Sequence, residues 1–89
     1  MSLDKQFNNL AEWVRRTNMP ASDEEKVLCY GYYKQAIVGD NNTLAPWIVN
    51  FKERTKWNSW NKNKGMKKES AMELYIKTVE LLQKKYNCS

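Results

Sequence analysis

Apolar residues recur at helical spacing from the start of the chain. The first of them are separated by four, three and four positions: Leu3, Phe7, Leu10 and Val14. This spacing places them on one face of an α-helix, and Ser2 is a residue type that favours the N-cap. The helix is predicted to end near Thr17, because Met19 precedes Pro20 and the residue before a proline disfavours the α region.

A second helix is predicted to begin with a capping box in the sequence SDEE at Ser22. The serine oxygen accepts a hydrogen bond from the third helical amide, and Glu25 reaches back to the cap. Gly39 suits a left-handed C-cap, so the helix should end near Val38. Between these signals the helical period is carried by Val27, Leu28, Tyr30, Tyr33, Ala36 and Ile37.

Two further helices are predicted after a long connection that contains Pro46. Asn50 with Glu53 three residues later forms a second capping-box pattern, and this third helix should run to about Lys62. After Gly65, a long fourth helix is marked by Ala71, Met72, Tyr75, Ile76, Val79, Leu82 and Tyr86. Four helices without a strand pattern predict an all-α fold, an antiparallel four-helix bundle, in a single domain spanning residues 1–89.

The chain is basic and lacks histidine. Fifteen Lys and Arg against ten Asp and Glu give a net charge of +5, which favours anionic partners. Nucleic acid, an anionic membrane surface and phosphorylated small molecules all fit this charge. Without histidine, the commonest general base and metal ligand is missing, so triad catalysis and zinc sites are not expected. We also predict no other catalytic residue or metal site, and no cofactor.

The cysteines and the N-terminus bear on location. Cys29 and Cys88 lie far apart and lack a CxxC context, which favours a reduced protein over a disulfide scaffold. The N-terminal sequence MSLDKQFNN has no apolar run, and no stretch of about 18 apolar residues occurs. A soluble cytoplasmic protein is therefore expected.

The second and third helices hold the candidate site. Phenol rings can stack on a planar base and Lys34 can meet a phosphate, while Gly31 would let a ligand or another helix approach closely. On the third helix Lys52 and Lys56 share a face. The same spacings also fit core tyrosines and solvated lysines, and periodicity does not decide between the two. The patch predicted on one face of the second helix comprises Val27, Tyr30, Tyr33 and Lys34.

Two longer segments carry a more specific pattern. They read YKQAIVGDNNT, from Tyr33 to Thr43, and KWNSWNKNKG, from Lys56 to Gly65. The first resembles the YKQAxVGDxNT signature, and the second the KWxxWNxxKG signature, of the acyl-CoA-binding protein family. The resemblance spans nearly the whole chain and includes Phe7, Val14, Pro20, Met72 and Tyr75.

The resemblance implies an up-down-down-up bundle whose shallow bowl binds one medium- to long-chain fatty acyl-CoA with high affinity, in a cytoplasmic carrier and pool former. In family members a tyrosine matching Tyr30 or Tyr33 stacks on the adenine, and lysines matching Lys34 and Lys56 hold phosphates. The implied protein is a monomer and not an enzyme, with no nucleic-acid partner and with transient contacts to membranes or acyl-CoA-using enzymes. The other positions predicted to contact the ligand are Arg15, Val27, Leu28, Lys52 and Tyr75.

The chain departs from the family pattern at several positions. Where the family commonly reads Asn-Thr-x-Arg-Pro-Gly, this chain reads NTLAPW and ends the segment in Trp47. Met66 and Lys67 replace the usual Thr-Ser start of the fourth helix, which removes the capping hydroxyls. Lys26 stands at an apolar position of the bowl, so its charged tip must reach water. These changes bear on acyl-chain preference.

Two other function classes use some of the same residues. A small nucleic-acid binder would show steep salt dependence, but interspersed acidic residues break up any basic stripe. A thioesterase would need a nucleophile with an adjacent base, and Cys29 lacks one in its sequence surroundings.

Overall fold

The computed structural model describes residues 2–87. That part of the chain contains four α-helices and no strand: α1 (Leu3–Arg16), α2 (Asp23–Ile37), α3 (Phe51–Asn61) and α4 (Lys68–Lys85). The all-α fold class is thereby confirmed. Among the residues described, no helix is both long enough and apolar enough to cross a bilayer. Met1, Cys88 and Ser89 lie outside the described residues.

Serine side chains set the start of the first two helices. Ser2 Oγ accepts a 3.3 Å hydrogen bond from the Lys5 amide. At α2, Ser22 Oγ accepts from the Glu25 amide at 3.1 Å, and the Glu25 carboxylate accepts from the Ser22 amide at 2.8 Å. These bonds satisfy amides that a helix terminus otherwise leaves unpaired. The capping box predicted at Ser22 is confirmed.

The capping box predicted at Asn50 is wrong. Helix α3 does begin at Phe51, but the Asn50 side chain makes no capping hydrogen bond. A box would also need the Asn50 amide to donate to Glu53, and that amide donates to the Trp47 carbonyl at 2.9 Å. Asn50 has a ψ of 70°, outside the extended region of a usual N-cap. The Asn50 amide is therefore satisfied by the turn that precedes α3 and not by a capping box.

The core lies where α1 and α2 pack against α4. Glu25 at the start of α2 bonds to Lys85 at the end of α4, and Gln35 near the end of α2 reaches Met66 just before α4. Helices α2 and α4 are therefore antiparallel, in keeping with the up-down-down-up order. The buried apolar cluster consists of Phe7, Met19, Cys29, Ala36, Ala71, Tyr75, Ile76, Val79 and Leu82.

The glycine inside α2 marks the place where α3 crosses. A Cβ atom on Gly31 would lie 2.7 Å from the carbonyl oxygen of Ser59 and 2.9 Å from its carbonyl carbon. The Ser59 hydroxyl also donates a 2.8 Å hydrogen bond to the carbonyl of Val27, across the same contact. Of the two roles predicted for Gly31, the structure shows close approach of another helix.

Candidate ligand site

An open cavity of about 530 Å³ lies between α1, α2 and the middle of α4. This volume falls within the range of small-molecule sites, about 300–1,000 Å³. The lining mixes apolar, aromatic and charged side chains, as a ligand with a charged head and an apolar tail requires. The lining residues are Asn8, Ala11, Glu12, Val14, Arg15, Lys26, Cys29, Tyr30, Tyr33 and Tyr75.

Two tyrosines that line the cavity, Tyr33 and Tyr75, pack against the buried ring of Phe7. Tyr33 stacks on Phe7 with ring centroids 5.8 Å apart and an interplanar angle of 19°. Tyr75 meets Phe7 edge-on at 5.1 Å and Tyr33 at 5.9 Å. Burial raises the pKa of Tyr75 well above its usual range, so its phenol stays neutral. Aromatic pairs of this kind stabilise by about 0.5–1.5 kcal/mol beyond their buried area, which favours the observed placement of the two tyrosines.

Two cationic side chains lie at the cavity: Arg15 is part of its lining, and Lys56 lies at the rim beside Tyr30. Lys56 Nζ lies 5.2 Å from the ring centroid of Tyr30 and 3.7 Å from a carboxylate oxygen of Glu53. Arg15 pairs with Glu12 on its own helix. Ion pairs between exposed side chains contribute only about 0–1 kcal/mol, so an anionic ligand can compete for both cations.

The patch predicted on one face of α2 is divided between two surfaces. Tyr30 and Tyr33 line the cavity, whereas Val27 and Leu28 line a separate groove of about 280 Å³ against α3. Lys34 Nζ lies 4.9 Å from the Trp60 ring centroid, also on the α3 side. This division arises because α3 crosses over α2. The spacing of residues along α2 alone does not predict that crossing.

Of the nine residues predicted to bind ligand, four line the cavity: Arg15, Tyr30, Tyr33 and Tyr75. Lys56 adjoins them through Tyr30. Lys52 is exposed on α3, one helical turn before Lys56. The ligand roles of all nine stay predictions.

The α1 wall of the cavity was missed by sequence reasoning, apart from Arg15. Its other members include Ala11, Glu12 and Asn8. A signal for them exists, because stepping back one and two helical turns from Arg15 along one helix face reaches these positions. On α2, Cys29 faces the cavity, and burial, with the charge of Glu25, raises its pKa to about 11. Its thiol is therefore protonated and behaves as a small apolar surface.

Several residues of the first signature serve the scaffold. Gln35 Nε2 donates to Asp40 Oδ1 at 3.0 Å and to the Met66 carbonyl at 2.8 Å. The amide of Gly65 donates to the same Asp40 oxygen at 2.8 Å. The Gly65 amide, and then Gln35, hold the pKa of Asp40 below its usual range. These bonds tie the end of α2 to the α3–α4 connection.

The second signature holds the connection between α2 and α3. Trp57 Nε1 donates to Thr43 Oγ1 at 2.9 Å, and Trp60 Nε1 donates to the Gly39 carbonyl at 2.8 Å. Asn41 Oδ1 in turn accepts from the Thr43 amide at 2.9 Å. Lys56 is therefore carried on a helix that these bonds tie to the α2–α3 connection.

Known proteins match this sequence over nearly its whole length. The family profile described as Acyl CoA binding protein matches residues 4–79. The chain is 45% identical over 85 residues to a protein from the genus Hypsibius named as an acyl-CoA-binding protein, covering 96% of each. It is 43% identical over 84 residues to the acyl-CoA-binding protein homolog of Drosophila melanogaster, covering 94% of this chain and 98% of the relative.

Solved structures agree with these matches. The crystal structure of Oryza sativa Acyl-CoA-Binding Protein 2 has a TM-score of 0.89 and 40% identity, over 97% of this chain and 96% of the rice chain. The solution structure of acyl CoA binding protein from Babesia bovis has a TM-score of 0.82 and 40% identity, over 98% and 99% of the two chains.

Proposed function

The chain belongs to the acyl-CoA-binding protein family, and on that premise we propose that it binds one medium- to long-chain fatty acyl-CoA ester with high affinity. The observation that carries the proposal is the cavity in which Tyr30, Tyr33 and Tyr75 meet the cation Arg15, with Lys56 beside Tyr30 at its rim. We further propose a monomeric cytoplasmic carrier and pool former that has no catalytic activity, cofactor or nucleic-acid partner and contacts membranes or acyl-CoA-using enzymes transiently.

The head of the ligand would be held by charge and stacking. Charge-assisted hydrogen bonds to phosphate are the strong class of polar contact, and the candidate donors are Arg15, Lys34, Lys52 and Lys56. A tyrosine face can stack on adenine, which contributes roughly 1–3 kcal/mol in base-binding proteins. Of the two candidates, Tyr30 and Tyr33, we favour Tyr30, because Lys56, a candidate donor to phosphate, already lies over its ring.

The acyl chain would supply the remaining affinity. Ala11, Val14 and the protonated thiol of Cys29 give the cavity its apolar surface. Each methylene removed from water contributes about 0.8 kcal/mol before ordering costs. Affinity should therefore rise with chain length until the chain outgrows the cavity. Lys26 lines the same cavity, and its stem can cover the chain while its ammonium group reaches water.

Calorimetric titration tests the proposal. Palmitoyl-CoA should saturate the protein at one molecule per chain and bind far more tightly than free CoA or free palmitate, with a chain-length series from eight to twenty carbons locating the optimum. Equal affinity for all three compounds would contradict the proposal. Release of free CoA during the incubation would contradict the absence of catalysis.

A further inference from the structure

The connection between α2 and α3 exposes an unusual run of large apolar side chains. We call residues 44–51 the apolar loop. Five of its members are 77–94% exposed, whereas the other exposed large apolar side chains in the described part of the chain, such as Leu81, reach 61% at most. Large apolar patches on the surface of a monomeric protein usually mark a binding site. The exposed members are Leu44, Trp47, Ile48, Val49 and Phe51.

The backbone of the apolar loop is held in place from α3. Arg54 Nη1 donates to the Pro46 carbonyl at 2.9 Å, and the Asn50 amide closes a turn on the Trp47 carbonyl at 2.9 Å. Ile48 and Val49 occupy the two central positions of that turn, where Gly, Asn, Asp and Pro are favoured. The turn therefore presents two branched apolar side chains outward on a hydrogen-bonded support.

The apolar loop has no charged side chain, and mostly cationic residues follow it in the sequence. The sequence has no ionisable side chain from residue 41 to residue 51. Lys52, Arg54 and Lys56 follow at once, against the single acid Glu53. An uncharged apolar tip with tryptophan, backed by cations, is the pattern of segments that enter the interface of an anionic bilayer.

We propose that the apolar loop is a docking surface for an anionic lipid bilayer, with Trp47 at headgroup level and Ile48 and Val49 at the acyl boundary. A second copy of the chain fits this surface less well. It would have to cover the turn with a matching apolar patch, and the exposed apolar side chains elsewhere in residues 2–87 are both fewer and less exposed. A bilayer needs no preformed groove.

The docking surface and the ligand site meet on α3, where Lys52 and Lys56 are both cations behind the apolar loop and candidate donors to phosphate. The apolar loop leads directly into the helix that carries Lys56 to the cavity rim. The docking surface deepens the transient membrane contact proposed above, and any role of docking in ligand delivery rests on the proposed carrier function. The contact is therefore tested on the protein without ligand.

Vesicle sedimentation is the primary experiment. Wild-type protein should pellet with vesicles of phosphatidylcholine containing about one-third phosphatidylserine and should pellet less with phosphatidylcholine alone. The double variant Trp47→Ser, Ile48→Ser should bind the anionic vesicles about tenfold more weakly or worse. Leu81→Ser, which removes an exposed leucine from α4, is the matched control and should bind like wild type.

A quenching experiment guards against a variant that fails to fold. Vesicles with brominated acyl chains should quench wild-type tryptophan fluorescence, and the conservative variant Trp47→Phe should lose most of that quenching. Undiminished pelleting of a folded double variant, or equal quenching in Trp47→Phe, would overturn the proposal. Self-association without vesicles that disappears in the double variant would also overturn it, because the occupant would then be a second copy.

Titration of the double variant with palmitoyl-CoA separates this proposal from the proposed function. Retained ligand affinity with lost vesicle binding supports the docking surface. Vesicle binding in a protein that does not bind palmitoyl-CoA would leave the docking surface standing and remove the carrier function.

Discussion

The carbonyl oxygen of Ser59 lies 2.7 Å from the position that a Cβ atom on Gly31 would occupy, so α2 and α3 cross at a separation that only glycine permits. An interior glycine costs a helix roughly 0.8–1 kcal/mol relative to alanine. Here that cost is offset by the close packing of two helices and by the hydrogen bond from Ser59 to Val27.

Gly31→Ala should destabilise the protein by about 1–3 kcal/mol, because overpacking outweighs the gain in helix propensity. Urea unfolding followed by circular dichroism measures the change. Adding Ser59→Ala should give only partial recovery, since the clashing atoms include the Ser59 backbone. The exposed substitution Lys77→Ala serves as the control and should change stability by less than about 0.5 kcal/mol. A more stable Gly31→Ala variant would refute the crossing geometry.

Lys56→Ala and Lys34→Ala should each weaken palmitoyl-CoA binding by about 1.5–3 kcal/mol, the loss expected for a hydrogen bond to a charged group. Calorimetry measures this as a roughly ten- to hundredfold rise in Kd. Lys77→Ala, an exposed cation on α4, should leave the affinity unchanged and controls for net charge. Wild-type affinity in both binding-site variants would show that the phosphates lie elsewhere.

Acid should weaken the contact between the start of α2 and the end of α4. Glu25 accepts hydrogen bonds from Lys85, Tyr86 and Ser22, which together lower its pKa from about 4.5 to about 2. The folded carboxylate therefore binds a proton less readily than the unfolded one. The stability that it contributes is present above about pH 4.5 and is lost as the pH falls towards 2.

Thermal unfolding between pH 7 and pH 2 tests this assignment. Glu25→Gln should lower the Tm at neutral pH and flatten its fall in the acid range, because the titrating group is gone. Glu24→Gln, a change at the exposed neighbouring position, should reproduce the wild-type profile. Parallel profiles for wild type and Glu25→Gln would contradict the role of Glu25.

The Cys29 thiol should resist alkylation in the folded protein. Burial raises its pKa from about 9 to about 11, so its thiolate fraction at pH 8 is about 100-fold lower than that of an ordinary thiol. A Cys88→Ser background isolates this group, and the iodoacetamide rate in guanidinium gives the unfolded reference. Saturating palmitoyl-CoA should slow the reaction further. Equal rates in folded and unfolded protein would contradict burial of the thiol.

Helix ends could be predicted from sequence where one local interaction had no competitor. The box at Ser22 formed because Glu25 lies within the same helical turn and nothing else takes the Ser22 amide. The box at Asn50 does not form, because the Asn50 amide donates to the Trp47 carbonyl in the preceding turn. Short-range sequence patterns thus predict helix caps correctly unless two patterns require the same backbone amide as a hydrogen-bond donor.

The site could be predicted only in part because its walls come from different helices. Spacing on α2 placed Tyr30 and Tyr33 in one patch without deciding whether they bind ligand. The family resemblance supplied that role, and it also supplied Arg15 and Tyr75; all four residues line the cavity. Neither source predicted that Val27 lies on a different surface from the tyrosines, because that placement depends on how α3 crosses α2. The bond from Gln35 to Met66 joins residues 31 positions apart, a separation at which single-sequence patterns carry no information.

The bonds among Gln35, Asp40 and Gly65 have a consequence for how such chains evolve. These three signature residues maintain the architecture, while much of the cavity wall is drawn from α1, outside either signature. Substitutions on the α1 wall can therefore change the size and polarity of the cavity while both signatures stay intact.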